Sequence, residues 1–199
     1  MVNPQQAPVD APGHHRRPEH PKGAIPDQRR DADQQVANLP LRERRWDIFF
    51  MVVFTLFACT SAVSDAIPTL GVAIGPHASF LGRINWAYGH DTDPLFIRPP
   101  HWMRFVTGLS AFVYGPFYLV LVYCLAKGKN WIQVPAIMYA TAISFITGVV
   151  VFGAEFFGED PAMRVQNVPK FLVANVWYVL LPLLLLARMR KEKPFTRRF

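Results

Sequence analysis

Residues 46–67 read WDIFFMVVFTLFACTSAVSDAI, an almost unbroken apolar run of the length a helix needs to cross a bilayer, about 20 residues. Pro68 and Gly71 loosen its far end. Outward from it, three more runs of that kind follow at about 103–126, 132–156 and 168–188. The run at 132–156 has Pro135 in its first turn, where a missing N–H costs nothing. Between the first two, residues 67–101 form a connection long enough to have structure of its own.

The charges are distributed accordingly. Residues 1–45 carry 8 basic and 6 acidic side chains, residues 188–199 carry 6 and 1, and all of 46–187 holds only 14. A water-soluble enzyme spreads charge over its whole surface, so this pattern points to an integral membrane protein. The expected fold is all-α, a membrane four-helix bundle over 46–190 between a Pro-rich tail (1–45) and a basic tail (191–199). The first tail has 7 prolines and few aromatics, a composition that leaves nothing to pack and predicts disorder. It has no secretory apolar core, and His14, His15 and His20 read as solvated tail before they read as a metal tract.

The net charge of +7 does not require a nucleic-acid partner, and none is expected. Its excess lies beside the last apolar run, where Lys and Arg set orientation and touch anionic lipid. Arg42, Arg44, Arg45, Lys127, Lys129 and the C-terminal cluster fall on one side, so both termini are expected in the cytoplasm. The membrane is the cell membrane for a bacterial source and the endoplasmic reticulum for a eukaryotic one. Trp46, Trp102 and Trp131 suit interfacial anchors. Cys59 and Cys124 lie inside apolar runs and imply neither a disulfide nor a metal. His90, Asp91 and Asp93 have too few ligands for a metal centre, and no cofactor motif is present.

Polar residues recur in stripes within the spans. Thr107, Ser110, Tyr114 and Tyr118 share a helix face, as do Thr141, Ser144, Gly148 and Glu155; Asn175 and Tyr178 are a turn apart, and so are Ser61 and Asp65. Two readings are open. Small and hydroxyl residues let membrane helices approach closely, whereas a shared interior would make the stripes the wall of a cavity. Asp65 and Glu155, toward the ends of their spans, are either interfacial charges or cavity acids able to pass a proton or hold an amine.

The motifs WAYGHDTDPLFIRPPHW (86–102) and KGKNWIQVPAIMY (127–139), with Asn175, Tyr178 and Pro182, resemble the EXPERA superfamily, most nearly in its sigma-2 receptor pattern; the sterol Δ8-Δ7 isomerases are its enzymatic branch. The resemblance covers about 46–190. It implies a lipid-facing ligand cavity, a dimer, and sterols or cationic amphiphiles as ligands, with Asp65 and Asp93 as the acidic pair. It also places Glu155, Asn175 and Tyr178 on matching positions. The isomerase histidine on the first helix has no counterpart here, and Thr107 and Ser110 stand where relatives have carboxylates.

Three functions compete. One is a binder of sterol-like, isoprenoid or amine ligands through Asp65, Asp93, Thr107, Ser110, Tyr114, Glu155, Asn175 and Tyr178. Another is a cofactor-free double-bond isomerase with Asp65 or Glu155 as the catalytic acid and base. The last is a membrane chaperone or trafficking protein whose polar stripes only cement its helices, and which would have no need of a cavity.

Overall fold

The computed structural model describes residues 36–191 and 193–198. Its four long helices are α1 (Arg45–Thr69), α4 (His101–Lys127), α5 (Asn130–Phe157) and α6 (Val168–Arg188), all apolar and long enough to span a membrane. Each boundary lies within about two residues of the sequence reading. Two short helices, α2 (Phe80–Gly89) and α3 (Pro94–Ile97), occupy the long connection. The protein is a multi-pass, all-α membrane bundle apart from a three-residue antiparallel ladder between β1 (Val36–Asn38) and β2 (Thr196–Arg198).

Local chemistry sets the ends. Lys127 is followed by Gly128 at φ 64°, a left-handed conformation that glycine adopts without steric cost and that stops α4. Asn167 accepts from the Lys170 N–H at 3.1 Å to start α6, with Pro169 in its first turn. Asp93 caps α3 in the same way through the Phe96 N–H at 2.7 Å.

The helices pack as α1 on α4 and α5 on α6. At the end where β1 and β2 pair, Phe50, Phe54, Leu121, Leu125, Ile132, Ala136, Leu185 and Met189 are buried to within 1%. Lipid tails are as apolar as these side chains, so tight packing rather than escape from water stabilises this core. Outward-facing Phe105, Met138 and Val173 are exposed, as suits a surface in contact with lipid.

Residues 1–35, including His14, His15 and His20, lie outside the described residues. Residues 36–45, grouped with the tail on composition, are packed against the bundle: Arg44 and, from the other end of the chain, Phe195 are buried. The reason is Asp47, wholly buried in the first turn of α1. It accepts from Arg44 at 2.9 Å and from Arg188 at 2.9 and 3.1 Å. Arg44 also donates to the Leu125 carbonyl at 2.7 Å, and both guanidinium groups lie over the Phe195 ring. A buried carboxylate needs such partners, and they draw both flanking segments onto the bundle.

All four spans depart from regular helix at one level. Wide π-type turns occur at Ser61–Asp65, Ser110–Tyr114 and Ile146–Val151, and α6 is interrupted at Val176. Pro68 and Pro116 explain two of them. Lacking an N–H, each leaves the carbonyl four residues back, Ser64 or Phe112, without its helical donor. The turn in α5 contains Gly148, which packs against Val179 of α6.

Candidate functional site

These wide turns surround a cavity of about 260 Å³. Tyr114 lines it and meets Tyr139 of the core edge to face, and behind them the Tyr139 hydroxyl donates to Tyr118 at 3.3 Å. Its roof comes from the long connection, through Ile84, Asn85 and Tyr88 of α2 and Asp93 and Phe96 around α3.

Asp65 reaches the wall from the wide turn of α1. Its Oδ2 accepts from the Ser110 hydroxyl at 2.6 Å, and the Ser110 and Ser61 oxygens are 3.2 Å apart. Above it Thr107 and Thr69 join by their hydroxyls at 2.9 Å. Across the bundle Tyr178 stacks on Phe57 with centroids 4.5 Å apart and donates to Thr60 at 2.9 Å. A carboxyl held by one hydroxyl donor keeps acceptor capacity for a ligand.

Asp93 enters from the roof and is buried. Tyr88 donates to its Oδ2 at a long 3.4 Å, and Asn175 Nδ2 donates to the Tyr88 oxygen at 2.6 Å. Burial pushes the Asp93 carboxyl above the usual carboxylate range and the Tyr88 phenol above its own. Behind Asp93 lies Glu155, fully buried, its two oxygens without a donor among the described residues. The Asp93 carboxyl is its acidic neighbour, and two carboxyls placed together in a buried site do not both ionise readily. The connection to α6 closes over both, with Gln166 N–H donating to the Thr92 carbonyl and Val165 N–H to that of Glu155. At the surface Lys170 bonds Asp91 at 2.8 Å, a pair that holds the Asp91 carboxyl below its ordinary range.

Of the residues singled out from sequence, Asp65, Asp93, Thr107, Ser110, Tyr114, Asn175 and Tyr178 line this cavity. Asp65 and Asp93 share it without a hydrogen bond between them among the described residues. Glu155 is not on the wall. The stripe expected on α5 is also displaced: Thr141 is exposed, Gly148 packs on Val179, and Ile143, Ile146, Thr147 and Val151 face the cavity instead. These recur three or four residues apart, an ordinary helix face whose mainly apolar side chains a search for polar stripes passes over. Asn85 and Tyr88 were missed, although Leu81, Asn85 and Tyr88 recur at helical spacing in FLGRINWAYG.

The wall carries two carboxyl groups, Asp65 and Asp93, and no Lys, Arg or His among the described residues. It is an acidic, largely apolar hollow inside a membrane bundle. Metal-binding clusters of three or more acidic, His or Cys residues do not occur among the described residues.

No curated protein and no solved structure gives a match to the chain. The family model EXPERA (EXPanded EBP superfamily) matches residues 80–189, which take in the roof helices, α4, α5 and α6. With that match over more than half its length, and with four spans around a shared cavity, the chain belongs to the EXPERA family.

Proposed function

We propose that the protein binds a hydrophobic ligand with a cationic amine, or a sterol-like or isoprenoid ligand with a polar end, inside the bundle. The observation that carries this reading is the make-up of the wall: two carboxyls with no basic side chain among its residues, in surroundings where an unpaired charge is costly. An ammonium beside Asp65 relieves that cost, and the rings of Tyr114, Tyr178 and Phe96 add attraction for a cation. The volume lies near the lower edge of the range usual for small-molecule sites. It suits the amine end of an amphiphile or one part of a larger fused-ring ligand. Both termini are assigned to the cytoplasm from the basic residues at that end.

The test is binding of a tertiary-amine amphiphile to the purified chain and to Asp65→Asn and Asp93→Asn. Loss of affinity in Asp65→Asn, with unchanged thermal unfolding, supports the reading; equal affinity in all three proteins overturns it.

One observation favours a second reading, isomerisation of a ring double bond. The Asp93 and Glu155 carboxyls form an acid pair linked to the cavity through Tyr88 and Asn175. In such a reaction a carboxyl protonates one alkene carbon and a carboxylate removes a proton from a neighbouring carbon, leaving the protein unchanged. Asp65 is the acid on the wall, and Glu155 serves as a reserve behind Asp93. Turnover of a sterol or terpenoid alkene in deuterated water places deuterium in the product; no incorporation across such a panel removes this reading. A chaperone whose polar stripes only cement the helices has no use for a hollow of this size.

A further inference from the structure

A second hollow, of about 690 Å³, lies at the opposite end of the bundle, where α1 begins and α6 ends. Arg44, Arg45, Arg188, Arg190 and Lys191 line it, with Glu43 the acidic residue of the lining. Counting Asp47 beneath Arg44 and Arg188, three positive charges are left uncompensated among the described residues. Arg44 and Arg188 are fixed by Asp47 and by backbone carbonyls, so they give the site its field and its floor. Arg45, Arg190 and Lys191 are exposed and keep their donors for a ligand.

The depth of the hollow selects the ligand. It sits at the ends of two spans, the level of the lipid headgroups, and Trp46, 64% exposed, stands in its wall as an interfacial aromatic. Immediately along α1 and α6 the surface turns apolar, with Ile48, Phe49 and Val52 on one helix and Leu180, Leu183 and Leu184 on the other, all exposed. A headgroup held by the basic residues therefore has hydrocarbon surface directly below it for its acyl chains. The geometry points to a site for the phosphate headgroup of an anionic phospholipid, separate from the intramembrane cavity. Basic pockets of this kind between transmembrane helices hold such headgroups.

Native mass spectrometry of the full chain in detergent, titrated with dioleoylphosphatidylglycerol and dioleoylphosphatidylcholine, tests this. The anionic lipid is expected to bind more tightly, and Arg45→Gln, Arg190→Gln and Lys191→Gln together are expected to abolish the preference, at about fivefold per cation removed. Lys127→Gln with Lys129→Gln, at the same end but outside the hollow, should leave it intact. If the triple variant does not purify folded, the single Arg190→Gln and Lys191→Gln proteins carry the test at about fivefold each. Equal binding of the two lipids overturns the proposal. So does an undiminished preference in the pocket variants, or an equal loss in the Lys127 and Lys129 control, which would mean a diffuse field. Displacement of the lipid by glycerol phosphate at matching concentration would assign the site to a soluble phosphate instead, and also overturns it.

Discussion

The two ends of the bundle are built from the same four apolar helices, yet the interior between the helices is solid at one end, beneath the basic surface hollow, and open at the other. At the solid end Phe50, Phe54, Leu121 and Leu185 interlock, and the one buried acid, Asp47, has both its oxygens bonded to arginines. At the hollow end each helix breaks its regular hydrogen bonding, and Asp65 and Asp93 are held by few donors. Hydropathy therefore says which segments cross the membrane, while prolines, wide turns and unpaired acids decide where the interior opens. The packed core lies in the first end and the intramembrane cavity in the second.

Substitutions can break that division. The largest effect is expected at the solid end, from Asp47→Ala. It strands Arg44 and Arg188 without their carboxylate and should cost about 3–5 kcal/mol, read as a collapse in thermal unfolding temperature and in the yield of folded protein. A more discriminating comparison places the same side chain in both ends. Ala136→Phe overfills a site with no exposed surface and should cost about 1–3 kcal/mol. Ala174→Phe grows into the cavity and should leave thermal unfolding nearly unchanged while excluding the ligand. Equal destabilisation by the two would mean that the hollow is as tightly packed as the core.

The smallest effect is a pH dependence from the roof. Asp93 has a folded-state pKa raised by burial, so its protonated form favours the folded protein. Its contribution is greatest below the ordinary carboxylate value of about 3.9 and is lost as pH rises through the raised value. Thermal unfolding followed across that window should drift downward with rising pH in the natural chain and more weakly in Asp93→Asn. An identical drift in both would place the titrating group elsewhere.

How much of this was legible follows from the same physics. Long apolar runs need no partner to be recognised, so the four spans and the structured connection are readable from the sequence. The cavity-facing positions of α4 and α6 are readable too, since Thr107, Ser110, Tyr114, Asn175 and Tyr178 stay on the wall despite the wide turn at Ser110–Tyr114 and the break at Val176. On α5 the count fails from its first member, because the cavity face runs through Ile143, Thr147 and Val151, mainly apolar side chains that a search for polar stripes passes over, while Thr141 is exposed and Glu155 is off the wall. The folding of residues 36–45 and of Phe195 onto the bundle depends on a long-range meeting of Asp47 with Arg188, which composition does not reveal. A local sign was present in Arg44 and Asp47, three residues apart at the mouth of an apolar run, a spacing that pairs charges on a helix.

The central claim is that a carboxyl in the hollow end, Asp65, recognises positive charge within the membrane. Its most direct test measures the affinities of an amphiphilic tertiary amine and of its uncharged carbon isostere for the natural chain and for Asp65→Asn. The account predicts that the natural chain prefers the amine by at least about tenfold, consistent with roughly 1.5–3 kcal/mol for a hydrogen bond to a charged group, and that Asp65→Asn binds both alike. An amine preference of the same size in both proteins would contradict it.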